Sequence, residues 1–191
     1  MKMILQTSTS LPYVNTIVAA LIGAVIGQLS ILLVGWIKLK IDLCNKKKLI
    51  HSDLDIQNAI LTRMKEKLIE LKGLFENRKT ESYTGDVFHD LHKDVFESVS
   101  KVDLYKIFKK DIEILFDIYH SFMFLKENSP LVIYGKYIMQ LNNHNAEKKD
   151  DQNHEVYCET HKEFIKLALN QINSNLSTIE HVKKQIDRLK K

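Results

Sequence analysis

The stretch VNTIVAALIGAVIGQLSILLVGWI, residues 14–37, contains no charged residue and decides the fold of the chain. As a helix, its 24 residues would extend about 36 Å, at about 1.5 Å per residue. The hydrocarbon core of a bilayer is roughly 30 Å thick. Tyr13 and Trp36 stand at its two ends, where amphipathic rings settle at membrane–water interfaces. The segment therefore predicts a single transmembrane helix.

Two other interpretations, a cleaved signal peptide and a buried helix of a soluble core, fit this segment less well. A cleaved signal peptide has a shorter apolar region, about 7 to 15 residues, behind a basic start. Here the leader MKMILQTSTSLPY is mostly polar and has one lysine. A buried helix of a soluble core is the second alternative, but an uncharged run of 24 residues is long for one. We therefore interpret the segment as an uncleaved anchor.

The distribution of lysines predicts the orientation of this anchor. One lysine, Lys2, precedes the segment, and five follow it closely, namely Lys38, Lys40, Lys46, Lys47 and Lys48. The positive-inside rule then places residues 1–13 outside the cell inner (plasma) membrane and the C-terminal part in the cytoplasm. The five lysines are predicted to contact lipid head groups. The alternative is that they only set the topology.

Cys44 follows the predicted transmembrane helix closely. A cysteine in this position can be palmitoylated, and the alternative is an inert thiol.

Small residues lie on one side of the predicted transmembrane helix. At about 100° per residue, most of the bulky aliphatic residues fall on the opposite side. Small residues allow two helix backbones to approach closely, and a polar amide within a membrane needs a hydrogen-bond partner. The pattern predicts self-association through this helix or binding to a partner span, with a lone anchor as the alternative. The predicted packing residues are Ala19, Gly23, Gly27, Gln28 and Gly35.

The composition of the remaining chain favours long helices without a nucleic-acid partner. The whole chain has only 6 glycines and 2 prolines, whereas sandwiches and barrels need frequent turn residues. From residue 49 onward, 22 basic residues face 23 acidic ones, so the net charge of +4 comes from the segment next to the membrane. We therefore expect no general nucleic-acid binding. The 2 cysteines show no paired spacing, which fits a reducing compartment.

Periodic apolar residues after the lysines predict a helical domain. Seven of them follow spacings of three and four, with Gln57 in the one polar slot: Ile50, Leu54, Leu61, Met64, Leu68, Leu71 and Phe75. Such a stripe suits a helix of an antiparallel bundle, and we favour this over a parallel coiled coil. The prediction is all-α, with a short extracytoplasmic N-terminus (1–13), a transmembrane helix (14–37), a basic juxtamembrane segment (38–48) and a cytoplasmic bundle (49–191) with helices at about 49–78, 86–101, 103–127, 130–143 and 155–190.

Catalytic motifs are missing from the sequence. It has no phosphate-binding loop, dinucleotide turn, nucleophile elbow or HExxH motif. His89 and His92 have a spacing that can seat a metal, but no second ligand segment matches them. Cys158 and His161 form an equally weak pair. We therefore predict a protein that is not an enzyme, with no metal site and no cofactor. Five aromatic residues are assigned to the core, with a groove for a partner helix as the alternative: Phe108, Phe116, Tyr119, Phe122 and Phe124.

Together, these features predict a membrane-anchored interaction protein that forms homo-oligomers through its transmembrane helix. Its predicted roles are a scaffold, a sensor or a membrane-perturbing effector of a bacterial toxin or phage-defence system. One alternative is a simple tether that recruits a cytosolic protein partner through the bundle. The other alternative is a membrane-bound metalloenzyme with its metal at one of the two weak histidine sites.

Overall fold

The computed structural model describes residues 11–78, 83–85, 88, 90–147 and 154–190, with side chains described for 16–78, 83–85, 88, 90–145 and 159–190. Every regular element in these ranges is helical, as predicted. The elements are α1 (Leu11–Glu76), α2 (Asp94–Ser98), α3 (Lys101–Phe108), a 3₁₀ turn (Lys109–Asp111), α4 (Ile112–Glu127), α5 (Pro130–Glu147) and α6 (His154–Leu189). The N-terminal part of α1 is the long apolar helix that the sequence predicts.

The chain divides into two compact units, Met1–Asn45 and Lys46–Lys191. In the first unit, the described residues from Thr16 to Asp42 are all exposed. The second unit contains a hydrophobic core to which α1 contributes its predicted stripe. The seven apolar residues of that stripe, from Ile50 to Phe75, are at most 1% exposed, and Gln57 is fully buried among them. The stripe therefore packs within its own chain.

The other helices of the second unit complete this core with their own apolar faces. α4 and α6 supply most of the remaining buried aliphatic and aromatic side chains. Three pairs of polar side chains join α1 to the C-terminal part of the chain. Lys65 Nζ lies 2.5 Å from Glu180 Oε1, Lys183 Nζ donates to Thr62 Oγ1 at 2.7 Å, and Lys190 pairs with Asp55. The fully buried apolar residues of these two helices are Leu115, Ile118, Phe122 and Leu125 of α4, and Ile172, Ile179, Val182 and Ile186 of α6.

The segment between α1 and α3 differs from the helix predicted at 86–101. Leu91–Lys93 have no regular structure, and helix α2 covers only Asp94–Ser98. Phe88 and Leu91 are still buried, so their spacing of three resembles a helical face without forming one. One cause is visible at Asp90, whose carbonyl accepts a hydrogen bond from Gln57 Nε2 at 3.3 Å rather than from a following amide of a helix. Asp86, at the start of the predicted helix, lies outside the described residues.

The helix predicted at 103–127 is divided in two by the turn at Lys109–Asp111. Lys109 has φ 47° and ψ −113°, and its amide donates to the Tyr105 carbonyl. The turn separates α3, which contacts the first residues of the second unit, from α4, which packs against α6. The last two helices differ from the predicted bounds by a few residues, because α5 runs to Glu147 and α6 from His154 to Leu189.

Candidate functional site

The apolar stretch of α1 is exposed over its described residues. It is the one helix among the described residues that is long and apolar enough to span a membrane, and none of its most apolar window is buried. Large aliphatic side chains there are strongly exposed, such as Ile31 at 73% and Leu32 at 69%. A core helix of a soluble protein would bury these side chains, so this stretch is not a core helix of the folded chain.

The small-residue side of this stretch is open to a neighbouring helix. A Cβ atom built at Gly23, Gly27 or Gly35 would meet no atom of the described chain within 4 Å, apart from the neighbouring residues of its own helix. Ala19 and Gln28 are exposed as well. The five predicted packing residues therefore lie on one helix and are exposed in the described chain. Such a surface can receive the backbone of another helix at short distance.

One polar side chain of the stretch is satisfied locally. Ser30 Oγ donates to the Ile26 carbonyl at 2.8 Å, a bond within the helix itself. Hydroxyls often satisfy themselves in this way in apolar surroundings. The amide of Gln28, which carries two donors and an acceptor, is too large to be satisfied by this backbone pattern alone. Within a membrane it would therefore need a hydrogen-bond partner beyond its own helix.

A cation–π contact lies at the C-terminal end of the apolar stretch, which is the end predicted to face the cytoplasm. Lys40 Nζ lies 3.9 Å from the centre of the Trp36 ring. Such a pair combines an amphipathic ring with a cation. The side chain of Tyr13, the other predicted interface anchor, lies outside the described residues.

Four of the five lysines predicted to contact lipid are exposed, and the fifth forms a hydrogen bond with another helix. Lys38, Lys40, Lys47 and Lys48 are exposed. Lys46 instead donates to Asp103 Oδ2 at 2.8 Å. Hydrogen bonds from Lys46 and Ser100, in that order, hold the pKa of the Asp103 carboxyl below its ordinary value. Lys46 therefore attaches α3 to α1, a role that the count of lysines alone did not indicate.

A buried polar cluster of three side chains joins α1 to α4. Tyr119 Oη donates to Asp53 Oδ2 at 2.6 Å, and Gln57 Nε2 donates to Asp53 Oδ1 at 3.4 Å. Asp53 is 4% exposed, Tyr119 2% and Gln57 0%. Burial first, and then the hydrogen bond to Asp53, raises the pKa of the Tyr119 phenol far above its ordinary value. Tyr119 therefore remains protonated and acts as a donor.

Only one member of this cluster was evident from the sequence. Gln57 was evident as the polar residue in an apolar stripe, but Asp53 was not associated with it and Tyr119 was assigned to the core as an aromatic. The available signal was the spacing of four between Asp53 and Gln57, which places both on one side of a helix. The hydrogen bonds of the cluster tie α4 to α1, so its evident role is structural.

The weak metal candidates remain unsupported by the described residues. His92 Nδ1 lies 4.0 Å from Asp94 Oδ2, whereas His89 lies outside the described residues. His161 Nε2 is instead 2.6 Å from Tyr137 Oη, and the Cys158 side chain lies outside the described residues. Within the described ranges, no group of three or more His, Cys, Asp and Glu side chains converges in a way that could hold a metal.

The five aromatic residues assigned to the core divide into two groups. Phe108, Tyr119 and Phe122 are at most 6% exposed, whereas Phe116 and Phe124 are 37% and 38% exposed. Phe116 packs edge-on against Phe96, with 5.1 Å between ring centres. Most of the aromatic density thus belongs to the core.

Comparisons with protein-family models, with curated proteins and with solved structures found no match.

Proposed function

We propose that this protein is a membrane-anchored interaction protein that self-associates through the apolar stretch of α1. One observation carries the proposal. On the glycine side of this stretch, a Cβ added at Gly23, Gly27 or Gly35 would meet nothing of the described chain within 4 Å beyond its own helix. In a bilayer, lipid tails are as apolar as leucine, so close backbone contact and polar groups drive helix association. The open glycine side allows close backbone contact, and Gln28 provides the polar group.

The orientation in this proposal follows from the lysines. Lys38, Lys40, Lys47 and Lys48 are exposed beyond the apolar stretch, and only Lys2 precedes it. Residues 1–13 are then outside the inner membrane and the second unit is in the cytoplasm. Lys40 above the Trp36 ring supports a head-group position for this end of the stretch.

The second unit, in this proposal, is an antiparallel helical bundle that the oligomer carries to the cytoplasmic face. The three polar pairs between α1 and the C-terminal part of the chain support this arrangement. As the α1 residue advances from Asp55 to Thr62 to Lys65, its partner moves back from Lys190 to Lys183 to Glu180. Helices that pair in opposite order run in opposite directions. A scaffold, a sensor and a membrane-perturbing effector all fit an oligomer of this form.

Cross-linking of the full chain in its native membrane tests self-association. The test variant is Gly23→Ile/Gly27→Ile, which fills the open side. The matched control is Val25→Phe/Leu29→Phe, which adds bulk with the same spacing of four on the opposite side. We expect a defined oligomer in the wild type and the control, and its loss in the glycine variant. Equal cross-linking in all three would show that the glycine side is not the contact.

A further variant separates an assembly device from a simple tether. Replacing residues 14–37 with polyleucine keeps an anchor of the same length without glycines or Gln28. If the chain acts through assembly, this replacement abolishes the oligomer and any activity that depends on it. A tether that recruits a cytosolic partner through the second unit would keep its activity.

A further inference from the structure

Helix α3 presents lysines around exposed apolar side chains. Its inward side buries Leu104 and Phe108, which are 1% and 6% exposed. At about 100° per residue, Val102 and Lys106 fall on the side opposite Leu104, and Tyr105 lies between the two sides. Val102 is 62% exposed and Tyr105 57%. We call the exposed residues of this helix and of the turn after it the basic face: Lys101, Val102, Tyr105, Lys106, Lys109 and Lys110.

The basic face carries a net positive charge. Asp103 is the one acidic residue of α3, and its carboxylate accepts a hydrogen bond from Lys46 at 2.8 Å. The Asp103 side chain is only 16% exposed. Lys106 Nζ lies 4.0 Å from its second oxygen, so this single carboxylate is shared between Lys46 and one of the four lysines of the basic face. The other three lysines leave the face positive.

Helix α4 presents the complementary combination, acidic residues with exposed aromatic rings. Six exposed positions of α4 fall within about 100° of one another around the helix. We call them the acidic face: Glu113, Phe116, Asp117, His120, Phe124 and Glu127. Phe116 and Phe124 are 37% and 38% exposed, and the six positions include no lysine or arginine.

The middle carboxylate of the acidic face is partly engaged within the chain. Asp117 Oδ2 accepts a hydrogen bond from Gln185 at 2.5 Å, and His181 Nε2 lies 3.5 Å from the same oxygen. The Asp117 side chain is nevertheless 51% exposed. Glu113 and Glu127, at the two ends of the face, are exposed as well. The acidic face is therefore negative along its length.

We propose that the basic face of one chain binds the acidic face of a second copy of this chain. The opposite charges of the two faces favour this pairing, whereas two basic or two acidic faces would repel each other. Val102 and Tyr105 would then cover the exposed rings of Phe116 and Phe124. Because different surfaces meet, the contact is heterologous, and each chain offers one face to each of two neighbours.

This contact joins the second units of neighbouring chains and goes beyond assembly through α1. It rests on the proposed function in one respect. α3 has only 8 residues, so its face is small and the contact is expected to be weak when it acts alone. Association through α1 would raise the effective concentration of one second unit near another and so favour the contact.

Disulfide trapping between two differently tagged forms of the full chain tests this contact in native membranes. One form carries Val102→Cys in the basic face, and the other carries His120→Cys in the middle of the acidic face. In both forms Cys44 and Cys158 are replaced with serine. Because different surfaces meet, mild oxidant should produce mixed dimers of the two forms and few dimers of either form with itself.

Charge reversal tests the electrostatic basis of the contact. Lys101→Glu/Lys106→Glu in the first form sets like charges against each other and should lower the yield of mixed dimers about tenfold. Glu113→Lys/Glu127→Lys in the second form should have a similar effect. Combining the two reversed forms restores opposite charges, so the yield should recover, which an unfolded variant could not achieve.

Two matched controls use α6. Lys162→Glu/Lys166→Glu reverses two exposed lysines there and should leave the yield of mixed dimers unchanged. Leu167→Cys, at a position that is 56% exposed, replaces His120→Cys and should give few mixed dimers. Equal yields with Leu167→Cys and His120→Cys, or a yield that is indifferent to charge reversal, would overturn the proposal. Val102→Cys chains that pair with themselves as readily as with His120→Cys chains would also overturn it.

Single cysteines at Ala19 and Ala20 report assembly through α1 separately in the same membranes. If these form dimers but the mixed pair does not, the contact between second units is overturned while the proposed function stands. If the mixed pair forms without them, the contact stands and assembly through α1 fails. A Val102→Cys thiol that forms no mixed dimer and is also protected from a water-soluble maleimide would be covered by another occupant, such as lipid, a nucleic acid or a different protein, and this too would overturn the proposal.

Discussion

The phenol of Tyr119 donates a hydrogen bond of 2.6 Å to the carboxylate of Asp53, in the interior of the second unit. The two residues are 66 positions apart in sequence and belong to α4 and α1. A buried carboxylate is costly unless hydrogen bonds replace its lost water. Tyr119 and Gln57 are the two described donors that do so. The pair therefore fixes how α4 packs on α1.

Removing the phenol should destabilise the second unit measurably. Tyr119→Phe leaves Asp53 Oδ2 buried without this donor, and we expect a loss of about 2 kcal/mol in the free energy of unfolding. Chemical denaturation of the full chain in detergent, followed by circular dichroism, measures it. Tyr105→Phe is the control, because Tyr105 is 57% exposed, and it should change stability by less than about 0.5 kcal/mol. Equal effects of the two substitutions would show that the Asp53 hydrogen bond contributes nothing specific.

His51 should make stability depend on pH. Burial first, and then the charges of Lys47 and Lys190, lowers the pKa of His51 below its ordinary value of 6.5. Protonation therefore favours the unfolded chain, whose histidine keeps the higher pKa. The stabilising effect is complete above pH 6.5 and is lost as the pH falls from 6.5 through the lower pKa of the folded state.

The measurement is the unfolding midpoint between pH 7.5 and pH 5. The wild type should lose stability across this range, and His51→Phe should lose less, because phenylalanine keeps the ring stacked on Phe108 but cannot take up a proton. Identical pH profiles for the two proteins would contradict the assignment to His51.

Lys109 should be a site where glycine stabilises the chain. With φ 47° and ψ −113°, it has a backbone conformation that glycine adopts freely and lysine does not. We expect Lys109→Gly to raise the free energy of unfolding by about 1 kcal/mol. The neighbouring Lys110→Gly removes the same charge without relieving a positive φ and should be neutral or destabilising. A lower midpoint for Lys109→Gly than for Lys110→Gly in denaturant titrations would argue against strain at this turn.

Long periodic helices could be predicted from the sequence, whereas their interruptions could not. The stripe from Ile50 to Phe75 follows one local rule over many turns, so its burial was evident. The turn at Lys109 has neither glycine nor proline to mark it. It follows α3, which contacts α1 at Lys46 and His51, more than 50 residues earlier in the sequence. The irregular backbone at Leu91–Lys93 likewise depends on a distant side chain, Gln57.

The same distinction applies to the candidate sites. The exposed glycine side of α1 follows from helical geometry alone, so its residues could be named in advance. Lys46 was grouped with the lipid-facing lysines because a count of charges cannot show which lysine has a carboxylate beside it. Asp103 is 57 residues away, and only the fold brings it to Lys46. The same holds for Tyr119, because no local sequence pattern indicates that Asp53 is its hydrogen-bond partner.

The most direct test of the central claim, self-association through the glycine side of α1, is disulfide formation between single cysteines in native membranes. In a chain with Cys44 and Cys158 replaced by serine, Ala19→Cys and Ala20→Cys probe the small side and Val25→Cys and Leu29→Cys the bulky side. The account predicts rapid dimer formation by mild oxidant at one or both alanine positions and little at Val25 and Leu29. Dimers that form equally at all four positions, or only on the bulky side, would contradict it.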